Sequence, residues 1–184
     1  MSPVTVPLLL VVLAQPTASE SNQAEPVPGR GVRRALIVCG LPGDDEHRSV
    51  YADAVLSLHT SLTSRYGFPA SEVLVRFGDG EGKGLSISRG LPDRAGIEAE
   101  VAELRRRLRP DDSLWVIVVG HCHYDGRHSH LNIPGPDLDE RAFGKIFEGL
   151  KARDQVFFVT TSASGFFLAT AAPSASHCSD RARP

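Results

Sequence analysis

His121 and Ser162 are the residues whose types and positions best suit joint chemistry. Each follows an apolar, β-branched run: residues 114–120, LWVIVVG, lead to the histidine, and residues 155–161, QVFFVTT, lead to the serine. The first run reads as a strand buried on both faces and the second as its parallel neighbour, and the carboxyl ends of parallel strands are where an open α/β sheet places its site. An imidazole there can serve as general base to a hydroxyl nucleophile. Gly120, Cys122, Ser164 and Gly165 would then line the pocket or turn backbone amides toward an oxyanion. A base of this kind needs a third group to orient it, and Asp125 and Asp137 are the candidate carboxylates.

The loop after His121 is rich in metal-ligand types: His121, His123, Asp125, His128 and His130 fall within ten residues. Alternate residues of a strand share a face, so His128 and His130 could pair, with His123 as a third weak candidate. The spacing matches no closed structural-zinc pattern, so no metal and no other cofactor is expected. The glycine cluster 80–84, GEGKG, lacks the spacing and terminal Lys-Ser/Thr of a phosphate loop. The segment 120–123, GHCH, also occurs in calcineurin-like metallophosphoesterases, but the Asp-x-His after the first strand and the Asn-His pair that a two-metal site needs are missing.

Four strands and three helices must position these groups. The apolar run 33–39 is the first strand; it cannot continue through Pro42-Gly43, so 41–48 is a loop whose polar tip lies at a strand's carboxyl end, where ligands commonly bind. Residues 50–66 carry apolar side chains at helical spacing, as do 93–108 and 139–150. Strands fall at 72–77, 114–121 and 155–161. Strand and helix alternate throughout, which argues for a parallel sheet with helices on its faces. The arginines at 105–107 suit the carboxyl end of a helix dipole and read as a solvated terminus.

These strands and their ends resemble the caspase-like fold, in particular its legumain-like cysteine peptidases. The resemblance rests on the leading Ala-Leu-Ile-Val strand, the Val-Ile-Val-Val-Gly-His strand and the Val-Phe-Phe-Val-Thr-Thr-Ser-Ala-Ser-Gly segment, and it spans residues 33 to 167. It implies an α/β three-layer sandwich with a mainly parallel sheet. The family's catalytic histidine falls on His121, its Ser-Gly on Ser164-Gly165, and its nucleophilic cysteine on Ser162. Cys122 stands where the family has glycine. A thiol beside histidine becomes a thiolate at modest cost, whereas a hydroxyl must lose its proton to the base. The resemblance therefore implies either an altered hydrolase or a peptidase-like domain that no longer cleaves. Residues 131–138, LNIPGPDL, and 161–165, TSASG, are similar to segments of bacterial relatives of the fold, which would make the serine a trait of that group. A non-enzymatic binding domain for extracytoplasmic peptide or protein ligands is the alternative.

Length and composition bound these readings. The chain has 184 residues, enough for one domain of roughly 150 residues plus ends. A formal net charge of −2 offers no broad footprint for nucleic acid. Three cysteines, Cys39, Cys122 and Cys178, are too few for a disulfide framework. Residues 6–13 form a short apolar core followed by small residues, so 1–18 reads as a signal peptide and the protein as extracytoplasmic, with no membrane span after its removal. Residues 19–31 read as a linker, 32–168 as the domain and 169–184 as an irregular tail. The caspase-like sheet has two further strands after the nucleophile; the expectation here is a sheet truncated after its fourth strand, with an open edge that a dimer or another partner would cover.

Overall fold

A computed structural model describes residues 31–78 and 84–171. The proposed signal peptide, nearly all of the linker, most of the glycine cluster and most of the tail lie outside the described residues.

Four strands, β1 (Arg33–Cys39), β2 (Val73–Arg76), β3 (Ser113–Val119) and β7 (Asp154–Thr160), form one sheet in the order β2-β1-β3-β7. Every pairing in it is parallel, with Ala35 opposite both Val73 and Trp115, and Trp115 opposite Val156. β1 and β3 are central, and the apolar residues from Ala35 to Cys39 are fully buried, as continuous apolar strands covered on both faces must be.

Helix α1 (Asp45–Ser64) connects β1 to β2, and α2 (Arg94–Arg107) crosses back to β3 on the other side of β1. Right-handed crossovers in opposite directions place these helices on opposite faces. Val55 and Leu62 of α1 accordingly pack with Ala35, Ile37 and Val75. Ile97, Val101 and Leu104 of α2 pack on the other face with Leu36, Val38, Val116 and Val118, joined by Phe143 and Phe147 of α3 (Glu140–Phe147) and by Phe167 of α4 (Gly165–Ala171). The protein is thus an α/β domain of three layers with a parallel sheet.

Three elements differ from expectation. α1 begins at Asp45, not near residue 50, because Asp44 caps it: its side chain accepts from the His47 amide at 2.8 Å, and Asp45 and Glu46 suit the first turn. The long loop after His121 contains a small antiparallel sheet of β4 (Cys122–Tyr124), β5 (Ser129–Leu131) and β6 (Leu138–Asp139). The short helix α4 follows Ser164 and runs into the segment read as tail. The arginines at the end of α2 are largely exposed, as a solvated terminus requires, yet two of them also make defined contacts. Arg105 donates to the carbonyls of Ile146 and Glu148, and Arg107 bonds Glu72 and Glu103.

Charged groups tie α2 to the sheet. Arg76 bonds Glu100 at 2.8 and 3.0 Å, and Arg89 lies 3.1 Å from the other oxygen of that carboxylate while bonding Glu103 at 2.9 Å. Arg34 reaches both Glu72 and Asp112. Phe158, on β7, is among the exposed large apolar residues and packs its ring against Trp115, their centroids 5.4 Å apart. No helix among the described residues is long and apolar enough to cross a membrane.

Candidate functional site

The strand order reverses direction between β1 and β3. Connections diverge there, and the carboxyl ends of those two strands are the usual position of a ligand crevice in such sheets. Gly40 and Gly120 lie against each other at these ends. The Gly40 amide bonds the Val119 carbonyl at 2.8 Å, and the Leu41 amide bonds the Asn132 carbonyl at 2.9 Å. A Cβ at Gly40 would lie 2.5 Å from that carbonyl oxygen, so only glycine fits under the small sheet. The Asn132 amide in turn bonds the His121 carbonyl at 3.0 Å and fixes the histidine's backbone.

The His121 ring, exposed at these strand ends, meets α1. Its centroid lies 5.7 Å from that of His47 and 5.9 Å from that of Tyr51, both tilted or edge-on. The nearby carboxylate belongs to Asp44, whose two oxygens each lie 2.8 Å from Nδ1 of His47. The His47 backbone amide, followed by its ring, holds the Asp44 carboxyl below the usual carboxylate range. Nδ1 bonded in this way leaves Nε2 of His47 as its free edge. Burial pushes the Tyr51 phenol up, helped by Cys39 and Asp44, and burial alone pushes the Cys39 thiol up to about 12.

Ser162 follows β7, the neighbour of β3, and its hydroxyl is engaged with main chain. Oγ accepts from the Cys122 amide at 3.1 Å and donates to the Cys122 carbonyl at 2.5 Å. No hydrogen bond joins it to His121 among the described residues. The next residue, Ala163, has φ of 52°, a left-handed conformation uncommon outside glycine. The Cys122 side chain is buried and donates to Thr161 Oγ1 at 3.1 Å; burial raises its thiol pKa, against weaker lowering by Thr161 and Ser129. The Cys122 amide, a candidate oxyanion donor, is occupied by Ser162. The Ser164 carbonyl accepts from Phe167, and Gly165 starts α4.

The carboxylates expected to orient His121 are engaged elsewhere. Asp125 bonds the amides of His128 and Arg127, both at 2.8 Å, and Nε2 of His130 at 3.0 Å; these contacts, in that order, hold its carboxyl well below the ordinary range. Asp137 accepts from the Ile133 amide at 3.3 Å and lies 3.8 Å from His123. His128 and His130 are edge-on neighbours, their ring centroids 6.4 Å apart, but each has another partner. Nδ1 of His128 bonds Glu140 at 2.8 Å, while His130 stacks on His123 with centroids 4.9 Å apart. The antiparallel pairing that sets His123 opposite His130 causes this, because facing residues of paired strands are neighbours. Among the described residues no group of three or more His, Cys, Asp and Glu side chains is arranged to hold a metal ion.

Sequence reasoning places the polar loop 41–48 at a strand's carboxyl end but does not single out Asp44, His47 or Tyr51. The signal was Asp44 followed by the acidic Asp45 and Glu46, the pattern of a helix start, with the apolar stripe beginning only at residues 50–51. No protein-family model matches the chain, and no curated protein matches it.

Proposed function

We propose that this chain is a caspase- or legumain-like, peptidase-related domain that engages peptide or protein segments at the carboxyl edge of its sheet without cleaving them. Support comes from the parallel order of β1, β3 and β7, with His121 after the third core strand and Ser162 after the fourth. One observation carries the non-cleaving part of the reading. The Ser162 hydroxyl donates a hydrogen bond to the Cys122 carbonyl and accepts one from the Cys122 amide. A hydroxyl held by two main-chain partners has no base to receive its proton, and an unactivated hydroxyl is a weak nucleophile.

A fluorophosphonate acyl probe tests this directly. The expected result is no covalent labelling of the wild-type protein. Labelling that disappears in both Ser162→Ala and His121→Ala would instead establish a serine hydrolase and overturn the reading.

A further inference from the structure

A concavity lies between α2 and α3, with His128 and Asp139 from the region of the small sheet also in its lining. It has a volume of about 600 Å3, within the range of small-molecule sites. Arg94, Glu98 and Arg105 line one wall at helical spacing on α2, and Arg141 and Lys145, four residues apart, line the other on α3. Like charges four apart on a helix repel. Arg94, Arg141 and Lys145 make no ion pair among the described residues, although carboxylates elsewhere on α2 are bridged by arginines.

Arg105 is held differently. Its Nη2 donates to the Ile146 carbonyl at 3.2 Å and the Glu148 carbonyl at 2.7 Å, so the end of α3 fixes this cation at the cleft. Four cations therefore face two carboxylates, Glu98 and Asp139. Asp139 is already committed, since it caps α3 by accepting from the Ala142 amide at 2.7 Å. In a protein whose formal net charge is −2, this local positive excess needs an explanation beyond overall composition.

We infer that the α2–α3 cleft is a binding site for a small phosphate-bearing anion. Three of its four cations are arginines, whose planar guanidinium matches phosphate oxygens two at a time. The cleft is open and its four cations are exposed, but its volume between two helices suits a small soluble molecule more than a lipid surface, and Glu98 offers an acceptor for hydroxyl groups of the same ligand. The site is independent of Ser162 and of any peptidase relationship.

Calorimetric titration of the full chain with pyrophosphate at fixed ionic strength tests the inference. The expected result is one saturable site, weakened by roughly tenfold or more in Arg141→Gln/Lys145→Gln, where two charge-assisted contacts are lost. Glu98→Gln, which removes a negative wall, is expected to tighten binding. No saturable heat, or equal affinity in wild type and double variant, would overturn the site. Equal binding of citrate would overturn its phosphate character. Binding to vesicles containing phosphatidic acid without binding of pyrophosphate would overturn its assignment to a soluble ligand.

Discussion

Replacing Asp112 by alanine is expected to lower the free energy of unfolding by about 3–5 kcal/mol, the range for removing one partner from a buried charge pair. Asp112 is 1% exposed. Its carboxylate accepts from the Val32 amide at 2.7 Å, the Arg109 amide at 3.0 Å and Arg34 Nε at 3.3 Å. It thereby joins the start of β1 to the start of β3, the two central strands, where the Ser113 amide also bonds the Val32 carbonyl. Alanine would leave two backbone donors unsatisfied and Arg34, itself 7% exposed, with Glu72 as its remaining ion-pair partner. Asparagine keeps the shape and one acceptor, so its cost is expected to be smaller, about 1–3 kcal/mol. Urea denaturation of both variants measures the difference.

The same residue makes a prediction about acid. Burial pushes the Asp112 carboxyl up, but the amides of Arg109 and Val32 together with Arg34 outweigh it and leave the folded value below the ordinary 3.8. A depressed folded value means that the stabilisation is complete above the ordinary carboxylate range. It is lost as pH falls through the folded value. Asp44 and Asp125 are shifted in the same direction, so the acid limb of wild-type stability has several sources. The difference between wild type and Asp112→Asn isolates one of them, and it is expected to shrink toward zero as pH falls below 3.8.

Asp112 also shows which features can be read along a chain and which cannot. The runs of β1 and β3 are legible because central parallel strands are apolar on both faces, and β7 because its apolar run persists at half-buried positions of an edge strand. The helices α2 and α3 are legible because one face of each must meet the sheet. The start of α1 is not, since residues 45–47 are exposed and carry no apolar stripe. The Pro-Gly turn before them signals a loop, and the capping aspartate alone marks the helix. β4, β5 and β6 are two or three residues long and hold polar and histidine side chains, too short to show a period. Their order comes from backbone pairing and from Glu140, which reaches back to the Ser129 amide and to His128.

For the candidate site, strand ends told where His121 and Ser162 sit. Their neighbours were hidden because contacts between distant segments leave no local pattern. His47 and Tyr51 lie some seventy residues before His121 in the chain. Asp125 and Asp137, near it in sequence, are drawn off by closer donors in the small sheet. A nearby carboxylate is therefore a poor guide to a histidine's partner when a hairpin intervenes.

Gly120→Ala is expected to cost about 2–6 kcal/mol, because two independent penalties meet at one residue. Gly120 has φ of 147°, a region that side chains rarely enter, and leaving it unrelaxed costs about 1–3 kcal/mol. A Cβ there would also stand 3.2 Å from the Gly40 amide nitrogen and 3.3 Å from its Cα. Both are main-chain atoms at the end of β1, so neither can swing aside, and overpacking of this kind costs a further 1–3 kcal/mol or about that. Relaxation must move the end of β3 away from β1, and His121 is the next residue. The ring contacts with His47 and Tyr51 are then expected to loosen before the sheet itself unfolds. Thermal denaturation reads the first effect, and the imidazole chemical shifts of His121 and His47 read the second. An alanine variant with wild-type stability and unchanged shifts would mean that the contact of Gly120 with Gly40 does not constrain the histidine beside it.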